Sequence, residues 1–201
     1  MKIIDIETVP QPNIMDTWFP AWAEKKMPNA SKEEIERIAS LHAEFGMVCA
    51  IGIADPGCAP MHTLARSLEE ESQALKDLAG AISENEILVG HNIKNFDIPF
   101  LAKRYLFHGM RVPPALKTAG KKPWEIPHKD TMELLRFAGD CSMSLRSACF
   151  LLGLGDPKAG CNGEDVYDLF VAGDFDKIGA YVESDVHYAG LVWEKLWRLA
   201  I

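Results

Sequence analysis

Three short segments of this chain carry carboxylates at spacings suited to metal-assisted hydrolysis. The first is Asp5-Ile6-Glu7, inside the strand-like run Lys2 to Glu7. Residues two apart on a strand project from one face, so these acids stand side by side. Adjacent carboxylates repel, and burying them is costly unless a cation sits between them. With 29 acids in 201 residues, about four acid-x-acid pairs arise by chance, so the spacing alone is weak. Its place on an otherwise apolar strand is stronger; a solvated strand face is the bland alternative. The second segment is Gly90-His91-Asn92-Ile93-Lys94-Asn95-Phe96-Asp97. It reads as a strand end, a polar turn and a helix start, which puts Asp97 on the rim where α/β sheets bind ligands. An aspartate ahead of Pro99 is equally an ordinary helix N-cap. The third is Tyr181-Val182-Glu183-Ser184-Asp185. Tyr181 and Asp185 are four apart and share a helix face with Ile178, Tyr188, Val192 and Leu196. An acid on that inward stripe is expensive, which singles out Asp185 over Glu183.

The elements that must position these residues follow from pattern. Lys2 to Glu7 alternates with period two and predicts the opening strand. Residues from about 10 to 45 break that pattern with Pro10, Pro12, Pro20 and Pro28, then supply Ser31-Lys32-Glu33-Glu34, a helix-start signature. They predict an insertion with one amphipathic helix, packed on the domain. Met47 to Ala54 and Met61 to Ala65 predict paired strands around the Asp55-Pro56-Gly57 turn. Helices are predicted at 68–82 and 97–107, with a short buried strand at 86–90 between them. Residues 108–127 predict a loop carrying Lys117, Lys121 and Lys122 beside Trp124. Later helices are predicted at about 131–137, 144–152, 164–171 and 175–199. Early strands with interleaved, then dominant, helices predict an α/β fold with a mixed sheet covered by helices.

The chain is long enough to bury one full core, and the simplest organisation is a single domain over 1–201. Apolar residues at 48% and charged residues at 25% are ordinary globular values. No apolar run reaches the roughly 18 residues that a membrane helix needs. The start lacks a secretory pattern, so a cytoplasmic protein is expected. The five cysteines (Cys49, Cys58, Cys141, Cys149 and Cys161) are scattered, which predicts free thiols. Cys58 and His62 are four apart, but no second pair completes a zinc site. The net charge of −8 argues against a protein that grips a long stretch of nucleic-acid backbone. It admits one whose carboxylates are neutralised by divalent cations. Lys94, Lys103, Arg104 and the 117–122 loop are the candidate local cations.

Taken in order, the three segments resemble the exonuclease motifs of the DEDD superfamily. These are Asp-x-Glu (Asp5, Glu7), Asn-x-x-x-Phe-Asp (Asn92, Phe96, Asp97) and, in the tyrosine branch, Tyr-x-x-x-Asp (Tyr181, Asp185). The stretch His128 to Leu135 is similar to the strand-to-helix segment between the second and third motifs. Ser144 through Gly153 and Lys158 resembles the next helix in the exonuclease domains of B-family DNA polymerases. The chain is similar to the stand-alone group of predicted 3′–5′ exonucleases related to those domains. The resemblance covers about 46–201 and the first strand; the insertion matches only in position. It implies a ribonuclease-H-like fold and hydrolysis from the 3′ end of a nucleic acid, single-stranded DNA being favoured and RNA possible. It also implies two divalent cations, Mg²⁺ or Mn²⁺, held by Asp5, Glu7, Asp97 and Asp185, with Tyr181 orienting the attacking water. Thr8, Asn92 and Phe96 are the candidates to position the terminal nucleotide. A non-catalytic module that binds nucleic-acid ends or protein, and a ribonuclease-H-type endonuclease, are the competing readings.

Overall fold

The computed structural model describes residues 1–137, 139, 142–157 and 163–199. Cys141, Lys158 and Cys161 lie outside the described residues. Lys2–Pro10 (β1), Gly46–Ala54 (β2), Met61–Leu64 (β3), Leu88–Gly90 (β4) and Lys129–Asp130 (β5) form one sheet in the order β3-β2-β1-β4-β5. β1 pairs antiparallel with β2 and parallel with β4, so the strand carrying the first acids is central and the sheet is mixed. β1 runs three residues beyond its predicted end. Val9 stays buried, and Pro10 closes the strand opposite Gly46, a strand-end position where a missing N–H is tolerated.

Alternation along β1 separates two cores. Ile4 and Ile6 join a cluster with Leu75 and Leu78 from the helix Leu68–Ala81 (α3), and with Ile98 and Leu101 from Asp97–Phe107 (α4). Ile3 points the other way, into a cluster with Val186, Ala189 and Val192 from the last helix, Phe175–Arg198 (α8). Asp5 and Glu7 share Ile3's parity, so they face α8. Gly52 sets how closely that helix approaches the sheet. A Cβ there would lie 2.7 Å from Val186 Cγ2, 2.9 Å from Val182 Cγ2 and 3.0 Å from the Val182 carbonyl oxygen.

The shorter helices are Phe19–Lys26 (α1), Lys32–Ser40 (α2), Thr131–Arg136 (α5), Leu145–Leu152 (α6) and Val166–Ala172 (α7). Residues 11–45 thus hold two α-helices, not the single one expected, plus a 3₁₀ turn at Ile14–Asp16. α1 has Pro20 in its first turn and buries only Phe19 and Ala23, too short a stripe to register as helical periodicity. Its start was therefore hidden. α2 begins at the predicted cap: the Ser31 hydroxyl accepts from Glu34 N–H while Glu34 accepts from Ser31 N–H. Phe19, Ala23, Ala39 and Phe45 close a small core of their own. A mixed five-stranded sheet flanked by helices is an α/β arrangement consistent with the ribonuclease-H-like exonuclease fold.

Candidate metal centre

Asp5 and Glu7 reach the centre from β1, both half-buried on the face that α8 covers. Tyr181 and Asp185 come down from α8, with 6% and 8% of their surface exposed. One carboxylate oxygen from each of Asp5, Glu7 and Asp185 lies within 4.8 Å of the others. Two elements thus supply three acids to a single point, and the helix stripe read from sequence is the face that delivers one of them. Tyr181 sits among these charges. Burial first, then the carboxylates of Glu7, Asp185 and Asp5, and a hydrogen bond with Asp185, push its phenol well above the ordinary range. The hydroxyl therefore stays protonated and acts as a donor.

Asp97 enters from the turn after β4 and is 3% exposed. It stands outside the three-acid group. Its Oδ1 accepts from the backbone N–H of Ile6 at 3.0 Å, between the two strand acids. Burial raises its carboxyl to about 7, assisted by the charges of Asp130 and Asp185 and opposed by two backbone hydrogen bonds. Asp97 is not the N-cap of α4: Phe96 holds that position, and Asp97 is the first helical residue. Its side chain is committed to β1, which ties the second motif to the first.

The three nucleotide-positioning candidates lie in different settings. Thr8 pairs with Val48 just past the break in register between Glu7 and Thr8. That irregularity skips Cys49, whose thiol is buried and pushed up by burial and by Glu7. Asn92 has a left-handed backbone (φ 67°), a conformation asparagine tolerates. Its Oδ1 accepts from Asn95 Nδ2 at 3.2 Å. Phe96 is half-buried on the main core, its ring 5.5 Å from that of Phe100. It is anchored at the edge of the core.

Asp130 was not singled out from sequence. It is 1% exposed, and it accepts backbone N–H donors from Asn92, Lys94, Met132 and Glu133 at 2.9–3.3 Å. One side chain thus fixes the turn leading to Asp97 and caps α5. The available signal was an aspartate at the end of a short strand ahead of a helical run, an N-cap pattern. Arg104 needs a correction. It is wholly buried, held by Glu71 through Nε at 2.8 Å and Nη2 at 2.6 Å, and cannot serve as a surface cation. Its place on the inward stripe of α4, with buried Leu101 and Tyr105 alongside, was the overlooked sign. Lys94 pairs with Glu133 at 2.6 Å, and Lys103 approaches Glu44 at 3.7 Å. Lys117, Lys121 and Lys122 are exposed and form no ion pair among the described residues, and Lys122 Nζ lies 5.2 Å from the Trp124 ring.

The donor set fits a hard divalent cation. It is all carboxylate oxygen, the nearby Cys49 thiol is held protonated, and no histidine joins the group. No described helix is long and apolar enough to cross a membrane. A search of curated proteins returns no match. A family model described as a predicted 3′–5′ exonuclease related to the exonuclease domain of PolB matches residues 40–200. Asp97, Tyr181 and Asp185 fall within the match. Asp5 and Glu7 fall outside it and are joined to the others by the folding of β1 beneath α8. Matched over most of its length, the chain belongs to this family of predicted 3′–5′ exonucleases related to PolB.

Proposed function

We propose that the protein is a metal-dependent exonuclease that shortens nucleic acid from its 3′ end and releases nucleoside 5′-monophosphates, with DNA the favoured substrate. The observation that carries this is the convergence of Asp5, Glu7 and Asp185 within 4.8 Å beside the Tyr181 hydroxyl. Mutually repelling groups gathered on a buried face cost stability in the absence of cations, and a passive binding surface has no use for them. In the two-metal reading of the tyrosine branch, Asp5, Glu7, Asp185 and Asp97 would hold the two cations between them. Bound Mg²⁺ or Mn²⁺ would supply activation of water and stabilisation of charge at the leaving 3′ oxygen.

The protein's own groups do the rest. Tyr181, kept protonated by its acidic surroundings, directs a hydrogen bond that orients the attacking water. Asp97 stays tied to Ile6 N–H and holds the α4 end of the cleft against β1. Asp130 keeps the Asn92–Lys94 turn in place through its backbone donors. The exposed lysines at 117, 121 and 122 provide local attraction that the net charge of −8 does not. Binding should accordingly weaken strongly with salt.

The test uses 5′-labelled DNA and RNA oligonucleotides and a circular single strand, each with Mg²⁺, Mn²⁺ or chelator. A ladder shortening from the 3′ end of linear strands only, dependent on metal, is expected. Cleavage of the circle would make the protein an endonuclease, and no metal-dependent cleavage would end the proposal. Asp185→Ala should abolish hydrolysis while the fold is kept. Tyr181→Phe should slow it by about a hundredfold, because orientation is lost but the ligands remain.

A further inference from the structure

We propose that the cleft continues beyond the acidic cluster into a pocket that receives one unpaired nucleobase of the substrate strand, an inference that rests on the exonuclease reading above. A cavity of about 570 Å³ lies between the chain leaving β1 and helix α7, lined by Pro10, Gln11, Asn13 and Met15 on one side and by Tyr167 and Phe170 on the other. Both walls start at the candidate centre. Pro10 is three residues past Glu7, about 10 Å at the strand rise per residue. Gly163, from which a 3₁₀ turn leads into α7, sits against Tyr181: a Cβ on it would be 3.6 Å from the Tyr181 hydroxyl. The pocket is therefore within reach of a nucleotide close to the one at the acids.

Its chemistry suits a base and not a phosphate. Tyr167 and Phe170 are half-buried aromatic side chains, and the prolines add flat apolar surface; stacking of this kind accepts any base. The charged residues of the lining, Asp16 and Glu36, are acidic, which would repel phosphate. Asp168 is ion-paired with Arg37 at 3.2 Å, and the Tyr167 hydroxyl faces Glu36 at 3.5 Å. Within the pocket lining, the Gln11 side-chain oxygen is buried and meets no hydrogen-bond donor among the described residues. A turn of the Gln11 side chain into the pocket would offer this oxygen to an amino or imino N–H on a base edge. Gln11, Asn13 and Met15 belong to the insertion, which thereby acquires a role: it walls the substrate channel.

The test is an abasic walk. Single-stranded 5′-labelled oligonucleotides carry one abasic residue at successive positions from the 3′ end, and kcat/KM is measured with Mg²⁺. One internal position should lose about tenfold. Tyr167→Ala should lose the same factor on the intact strand and no longer distinguish that abasic substrate. An equal response at every position, or a variant that keeps the position-specific loss, would overturn the proposal. Should Tyr167→Ala fail to fold, the wild-type walk alone decides. If no oligonucleotide is hydrolysed, the walk is repeated as equilibrium binding with Ca²⁺. A position-specific loss there supports the pocket while sinking the exonuclease reading, and a flat response sinks the pocket as well.

Discussion

Asp97→Asn should stabilise the metal-free protein, and increasingly so as pH rises. Asparagine keeps a carbonyl oxygen for the Ile6 N–H bond and removes the charge. In the wild type, burial and the charges of Asp130 and Asp185 raise the Asp97 carboxyl from an ordinary 3.8 to about 7. The folded-state pKa lies above the unfolded one, so the associated stability is complete below pH 4 and is lost as pH rises through 7. Three pH units at about 1.4 kcal/mol each give a loss of about 4 kcal/mol, with no discount for screening because the group is buried. Subtracting wild type from variant cancels the titrating groups that do not interact with Asp97, while Asp130 and Asp185, which do, contribute to the difference with it. The difference should grow from about 1–2 kcal/mol at pH 5 to about 4 kcal/mol at pH 8. Urea unfolding with chelator across that range measures it directly. Repeating the series with Mg²⁺ should narrow the gap, since a cation favours the ionised wild-type side chain. A difference that does not change with pH, or a variant less stable than wild type at pH 8, would refute the electrostatic account of Asp97.

Gly52→Ala places a methyl group 2.7 Å from Val186 and 3.0 Å from the Val182 backbone oxygen. It should cost about 1–3 kcal/mol and reduce Mn²⁺-supported hydrolysis, because α8 carries Asp185 away from β1; calorimetry and a turnover assay would show both. Arg104→Met leaves Glu71 buried without its guanidinium partner and should cost about 3–5 kcal/mol in chemical denaturation. Asp130→Ala strips the acceptor from four backbone N–H groups. It should cost about 3 kcal/mol, with loss of amide-exchange protection concentrated at residues 92–94.

The parts of the fold legible in the sequence were those with one dominant local signal. The α4 segment, Asp97 to Phe107, and the long α8 stripe follow from periodicity alone, and the Ser31 cap marked α2. What escaped notice depended on partners distant in sequence. Arg104 reads as a surface cation until α3 brings Glu71 against it from 33 positions away. Asp130 reads as a cap until its backbone donors at 92 and 94 arrive from the neighbouring strand's turn. Asp97 suggested a cap for the same reason, and only the pairing of β1 with β4 turns it towards Ile6. The segment Phe19–Lys26 failed differently: its buried stripe is two residues long, and no periodicity test resolves that.

The acids themselves occupy an intermediate case. Composition does not distinguish Asp5, Glu7 and Asp185 from the other 26 acids of the chain, and period goes only as far as placing Asp185 on the inward helix stripe and Asp5 and Glu7 on one strand face. What distinguishes them is the cost of where they lie. The sheet and α8 pack closely, with Gly52 removing a side chain that would hold them apart and Gly190 sitting over Ile3. That approach serves the apolar cluster of Ile3, Val186, Ala189 and Val192, and it also forces Asp185 down on Asp5 and Glu7. Relieving the repulsion by loosening α8 would sacrifice the packing, so core burial enforces the carboxylate cluster. A cation entering the site removes the repulsion without that sacrifice. Metal affinity and helix packing are therefore linked, and a change that loosens one should weaken the other.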